Sequence, residues 1–148
     1  MSEADLGLTH VALPVSDLDA SIGFYERYAS MSVVHRRTGH HGEGVAWVSD
    51  LTRPFVVVLI ETEVTHRLGG WSHLGVGVAD PAEVDARLAA ARSDGLEVDG
   101  PHDDGPPVGY WGIIADPDGH HLELAHGQVV TSVVEDEATA HRAARPPS

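Results

Sequence analysis

An internal repeat constrains this chain more than any other feature. Thr9-His10-Val11-Ala12-Leu13-Pro14-Val15-Ser16-Asp17 and Ser72-His73-Leu74-Gly75-Val76-Gly77-Val78-Ala79-Asp80 share one pattern: a hydroxyl residue, a histidine, an alternating apolar stretch and an aspartate. Each copy is followed by a glutamate at nearly the same distance, 51 positions from His10 to Glu61 and 50 from His73 to Glu123. Glu61 closes the apolar run Phe55-Val56-Val57-Val58-Leu59-Ile60, and Glu123 lies inside Leu122-Glu123-Leu124. Each module has only about 60 residues and is marginal as a lone fold, so the two are expected to pack together in one domain.

The two modules read alike. Residues 8–15 alternate as a strand. Leu18, Ile22 and Tyr25 then recur at helical spacing behind a cap at Ser16 or Asp17, giving a helix over 17–29. Strands follow at 31–37, 44–49 and 54–61, so the first module is β-α-β-β-β. In the second, the strand 71–78 precedes a helix opened by Asp80-Pro81 and closed at Gly95. A short strand at 96–98, an irregular loop at 100–107, a strand at 109–115, a turn at Asp116-Pro117-Asp118-Gly119 and a strand at 120–125 complete it. The expected fold class is α+β. One domain covers residues 1–127, with modules 6–63 and 71–127 joined by a linker at 64–70. A tail over 128–148 stands outside the repeat and carries a short helix at 133–145.

Two histidines and two glutamates on rigid strands are the donor set of a hard-to-borderline divalent ion. The repeat suggests that His10, Glu61, His73 and Glu123 converge. A lone strand histidine is more often structural, and a strand-end glutamate usually faces solvent. The matched spacing is what raises these four above that background. All four as ligands would suit Zn, Ni, Co, Mn or Fe, whereas His10, His73 and Glu123 alone would suit non-haem Fe(II); the sequence does not say whether Glu61 binds. His121 shares a strand face with Glu123 and is a candidate pocket residue. Trp47, Tyr110 and Trp111 are candidates for either pocket or core, and His40 and His41 lie in a glycine-flanked loop.

Composition removes several function classes. With 23 acidic and 9 basic residues the net charge is −14, which repels phosphate backbones and anionic membranes, so no nucleic-acid or membrane partner is expected. There is no cysteine, hence no disulfide, thiolate ligand or cysteine nucleophile. Residues 1–5 lack the basic and apolar regions of a secretory signal, and no apolar run reaches membrane-spanning length; the expected location is the cytoplasm.

A family resemblance rests on three segments. The first is the opening from Leu8 to Leu18, continued by Ser21-Ile22-Gly23-Phe24-Tyr25-Glu26. The second is Trp71-Ser72-His73-Leu74, and the third is the closing Asp116-Pro117-Asp118-Gly119-His120-His121-Leu122-Glu123-Leu124. Together they resemble the vicinal oxygen chelate superfamily, which includes glyoxalase I, methylmalonyl-CoA epimerase, extradiol dioxygenases, and fosfomycin and bleomycin resistance proteins. The resemblance covers roughly residues 6–127. It implies paired βαβββ modules whose curved mixed sheets surround a metal site, with His10, Glu61, His73 and Glu123 at the ligand positions and one divalent ion per site. It also implies a homodimer whose sites draw on both chains. Pro14 stands where glutathione-dependent glyoxalase I commonly has an arginine, which argues against that activity.

The function implied is a metal-dependent, glyoxalase-like isomerase, epimerase or lyase. Its small substrate would chelate the ion through vicinal oxygens and pass through an enediolate, with Glu123 or Glu61 moving the proton. The alternatives are an Fe(II) extradiol-type ring-cleavage dioxygenase and a metal-free, antibiotic-binding resistance protein.

Overall fold

The computed structural model describes residues 7–148. The N-terminal segment 1–6, including the expected starts of the domain at residue 1 and of the first module at residue 6, lies outside the described residues. Eight strands and three helices follow in the order β1 His10–Val15, α1 Leu18–Ala29, β2 Ser32–Thr38, β3 Gly44–Ser49, β4 Val56–Glu61, β5 Leu74–Gly77, α2 Pro81–Ser93, β6 Val98–Asp103, β7 Tyr110–Ala115, β8 His121–His126 and α3 Val130–Ala144. They form two four-stranded sheets of the same plan, ordered β1-β4-β3-β2 and β5-β8-β7-β6. This is the α+β fold of paired βαβββ modules.

In the first sheet β1 runs parallel to β4, and β3 is antiparallel to both β4 and β2. Alternation gives each strand two faces. Leu13 and Val15 of β1 and Val57 and Leu59 of β4 are buried on the face that meets α1. His10, Ala12, Val56 and Val58 belong to the other face. α1 begins where Asp17, in extended conformation, accepts a hydrogen bond from the Ala20 N–H, and it ends at Ser30 with φ of 53°. Its apolar face, led by Leu18, Ile22, Phe24, Tyr25 and Tyr28, is buried.

Contacts divide the chain into two compact units. One runs from the start of the described residues to Leu74 and takes in Ile114–Leu122; the other comprises Gly75–Ile113 and Glu123–Ser148. Within the first, the β7–β8 turn is fixed by buried polar groups. Asp116 accepts hydrogen bonds from the Tyr25 hydroxyl at 2.8 Å, the Asp118 N–H at 2.9 Å and the His120 N–H at 2.8 Å. Asp118 accepts from the Ser16 hydroxyl and N–H at 2.5 and 3.1 Å. Burial and the adjacent Asp116 carboxylate push the Tyr25 hydroxyl well above the ordinary phenol range, so it stays a donor.

In the second unit, α2 is capped by Asp80 with Pro81 at its first position, and it buries Val84, Leu88 and Ala91. Gly112 lies directly beneath Leu88: a Cβ there would come within 2.5 Å of a Leu88 methyl. β6 occupies 98–103, where the sequence suggests a strand at 96–98 and an irregular loop from 100. The Gly, Pro and Asp content of that stretch suggests a loop, but β6 is an edge strand, where a residue without an N–H such as Pro101 is tolerated. α3 buries none of its side chains. Among the described residues no helix is long and apolar enough to cross a membrane.

Candidate functional site

The register of β1 and β4 decides what can stand beside His10. His10 is opposite Val56, Ala12 opposite Val58, and Val15 opposite Glu61. Glu61 is therefore five register positions from His10, about 16 Å at the rise of an extended strand. It also belongs to the other face, because it alternates with the buried Val57 and Leu59. Its carboxylate accepts a hydrogen bond from the Leu18 N–H at 2.8 Å, at the N-terminus of α1. There it satisfies one of the donors a helix start leaves open, and its charge suits the helix dipole. Within one copy the structure does not bring Glu61 to His10, despite the matched spacing in sequence.

Strand register also gives the first-module counterpart of Glu123. In the second sheet the Val78 N–H donates to the Ala125 carbonyl at 2.9 Å. Taken as a parallel ladder like β1–β4, this bond sets Gly77 opposite Ala125 and Gly75 opposite Glu123. Gly75 is two residues after His73, as Ala12 is two after His10. The first-module residue equivalent to Glu123 is thus Val58, an apolar side chain, and the three-residue slip to Glu61 reflects unequal loop lengths.

The two histidines are presented differently. His73 Nδ1 lies 3.0 Å from the Trp71 carbonyl, which only accepts, so Nδ1 carries the proton and Nε2 keeps the lone pair. His10 Nδ1 is 2.9 Å from Thr9 Oγ1, which again leaves Nε2 as the outward nitrogen. Glu123 is 8% exposed and accepts from Gln128 Nε2 at 2.7 Å. Among the described residues no three His, Asp or Glu side chains of a single copy come together as a metal-holding group.

A pocket of about 480 Å³ opens beside His10 on the face of the first sheet turned away from α1. Thr9, His10, Val34, Trp47, Ser49, Arg53, Pro54, Phe55, Val56 and Val58 line it. Its size is that of a small-molecule site, and its walls are apolar with a few polar groups. Trp47, left between pocket and core by its sequence position, faces this pocket. Val34 reaches it at an irregularity in the β2–β3 pairing between Val33 and His35.

Other residues singled out by the sequence have other partners. The Tyr110 hydroxyl donates to Asp85 at 2.5 Å and Trp111 Nε1 to Asp104 at 2.7 Å. His40 and His41 are in the exposed β2–β3 loop, where the His41 N–H is bound by Glu43. His121 has a buried Nδ1 with no hydrogen-bond partner among the described residues. His120, part of the closing segment 116–124, is 1% exposed: its Nδ1 accepts from the Leu68 N–H at 3.0 Å while Nε2 donates to the Pro14 carbonyl at 2.8 Å. It is a strut that fixes the end of β1 and the linker.

Comparison with known proteins agrees with this architecture. Residues 7–124 match the family model described as the Glyoxalase/Bleomycin resistance protein/Dioxygenase superfamily. The uncharacterised protein PA2024 of Pseudomonas aeruginosa is 37% identical over 125 residues, covering 82% of this chain and 89% of its own length. Among solved structures, the antibiotic binding protein TnmS3 from Streptomyces sp. CB03234 is 25% identical with a TM-score of 0.65, over 84% of this chain and 98% of that one. A variant of the Listeria monocytogenes fosfomycin resistance protein FosX, complexed with Mn(II) and 1S,2S-dihydroxypropylphosphonic acid, is 19% identical with a TM-score of 0.66, over 88% of this chain and 99% of that one.

Proposed function

This chain belongs to the glyoxalase/bleomycin resistance protein/dioxygenase superfamily, and on that premise we propose that it is a metal-dependent enzyme acting on a small ligand seated in the His10 pocket. The proposed ligands for one divalent ion are His10, His73 and Glu123. The observation that supports three ligands rather than four is the β1–β4 register, which leaves Val58 in the place equivalent to Glu123 and aims Glu61 at α1. Glu61 has no part in this reading, either as ligand or as base.

The donor chemistry fits such an ion. Two neutral imidazoles and one carboxylate leave a net positive centre and several open coordination positions. When bound, the ion supplies Lewis acidity toward a substrate chelated through two adjacent oxygens. The residues of this chain supply the rest. The Trp71 carbonyl fixes the tautomer of His73, and Gln128 holds one side of the Glu123 carboxylate. Val34, Val56 and Val58 wall the substrate from water. A single copy gathers no three donors among the described residues, so a second copy completing each site is part of the proposal, as a homodimer provides.

One observation favours a second reading. Two histidines and one carboxylate are the set used by non-haem Fe(II) oxygenases, and this raises a ring-cleavage dioxygenase above a four-ligand isomerase. Metal analysis of protein purified without chelator, followed by oxygen uptake on catechols under Fe(II), tests both. Retained metal with oxygen consumption supports the dioxygenase; retained metal without it supports isomerase or lyase chemistry. Absence of any metal, even after titration, overturns both.

A further inference from the structure

The pocket beside His10 combines an apolar wall with one cation, and that combination selects a ligand class. All nine basic residues of this chain are arginines, set against 23 acidic residues. Arg53 alone among them lines the pocket. Among the described residues it forms no ion pair; its Nε–H donates to Thr52 Oγ1 at 3.3 Å, which leaves the terminal nitrogens of the fork to other acceptors. The nearest acid in sequence is Asp50, whose Oδ1 is already taken up by the Thr52 N–H at 2.9 Å and hydroxyl at 2.6 Å. Arg53 thus brings a positive charge to the edge of an apolar cavity in a chain of charge −14, and that charge also acts on the Asp50 carboxylate without a direct ion pair.

Another part of the lining suits a flat body. Trp47 remains 37% exposed although it sits at the centre of β3, and its ring lies 4.7 Å from that of His35. Phe55, Val56 and Val58 continue the apolar surface. An exposed indole on an apolar floor offers stacking to a planar ring.

We propose that Arg53 is the specificity-determining residue of this pocket and that it selects ligands carrying one anionic group, such as a carboxylate, on a flat apolar body that lies against Trp47. A small hydrophilic dianion fits poorly, because one exposed guanidinium faces it and the other walls are apolar. The inference rests on the reading of this pocket as the ligand site but not on the metal.

The test compares 2-naphthoate with its neutral analogue 2-naphthamide by calorimetric titration at low ionic strength. It uses the full chain as purified and again after chelator treatment. The acid is expected to bind about tenfold more tightly than the amide, the effect of one charge-assisted contact. Arg53→Gln should abolish that preference by weakening the acid while the amide is unchanged, and Trp47→Leu should weaken both alike. The acid preference should also shrink in high salt, since Arg53 is exposed. Equal binding of the two probes, no binding of either, or an acid preference that survives Arg53→Gln would each overturn the proposal. Metal content measured on the same samples keeps the two readings apart. Failure to hold metal sinks the proposed enzyme without touching the probe preference, and an acid preference lost on chelation but kept in Arg53→Gln would assign the anion to the metal instead.

Discussion

Replacing Glu61 by alanine separates a helix-capping glutamate from a metal ligand. Its carboxylate accepts the Leu18 N–H at 2.8 Å, while Asp17 independently accepts the Ala20 N–H at 3.1 Å, so Glu61→Ala removes one of two side-chain acceptors at the start of α1. Loss of a capping acceptor costs about 0.5–2 kcal/mol, and loss of a partly exposed charge at a helix N-terminus about 0.3–1 kcal/mol. A combined loss of about 1–2 kcal/mol is expected, or roughly 3–6 °C in Tm for a chain of this size. Glu61→Gln keeps an acceptor and loses only the charge, so it should cost about 0.5 kcal/mol. The measurement is urea denaturation followed by far-UV circular dichroism, with chelator present so that bound metal does not add to the apparent stability. Unchanged stability in Glu61→Ala together with a metal affinity reduced more than tenfold would refute the reasoning.

Three further outcomes follow from the packing and the site. Tyr25→Phe removes a buried hydrogen bond to a carboxylate and should destabilise by about 1.5–3 kcal/mol. Because the Tyr25 hydroxyl is held above its unfolded value, its contribution is complete below pH about 10 and declines as pH rises beyond that, a decline that pH-dependent melting should find reduced in Tyr25→Phe. Gly112→Ala forces a methyl against Leu88 and should cost about 1–3 kcal/mol in denaturant titration. Val58→Glu places a carboxylate at the position equivalent to Glu123, so Tm without metal should fall while the rise in Tm on adding Mn(II) exceeds that of the unsubstituted protein; an unchanged rise would count against the equivalence.

The repeat made the fold legible because both modules depend on strong local signals. Asp17 and Asp80 cap helices, Pro81 and Gly95 bound α2, and apolar alternation marks the central strands. β6 was not legible, since whether a proline belongs in a strand depends on whether that strand is an edge, which only the assembled sheet decides. Matching the copies singles out the histidines at the head of each module, and the structure places His10 at the rim of a pocket. The matched spacing does not bring Glu61 beside His10 within one copy for a physical reason: counting residues fixes separation along the chain, whereas what a strand residue stands beside is fixed by register and by the face its side chain shares with its neighbours. Val58 and Glu61 differ by three positions, and that odd number turns the residue from the pocket face to the helix face. Arg53, Val34 and Phe55 gave no sequence signal because nothing local distinguishes an arginine at a pocket rim from one in solvent.

The most direct test of the three-ligand account is metal titration of four proteins in parallel: the unsubstituted chain, His10→Ala, Glu61→Ala and Glu123→Gln. The account predicts about one divalent ion per chain for the first and for Glu61→Ala, with binding weakened at least tenfold in His10→Ala and Glu123→Gln. Loss of metal from Glu61→Ala as severe as from His10→Ala would contradict it and return the four-ligand site.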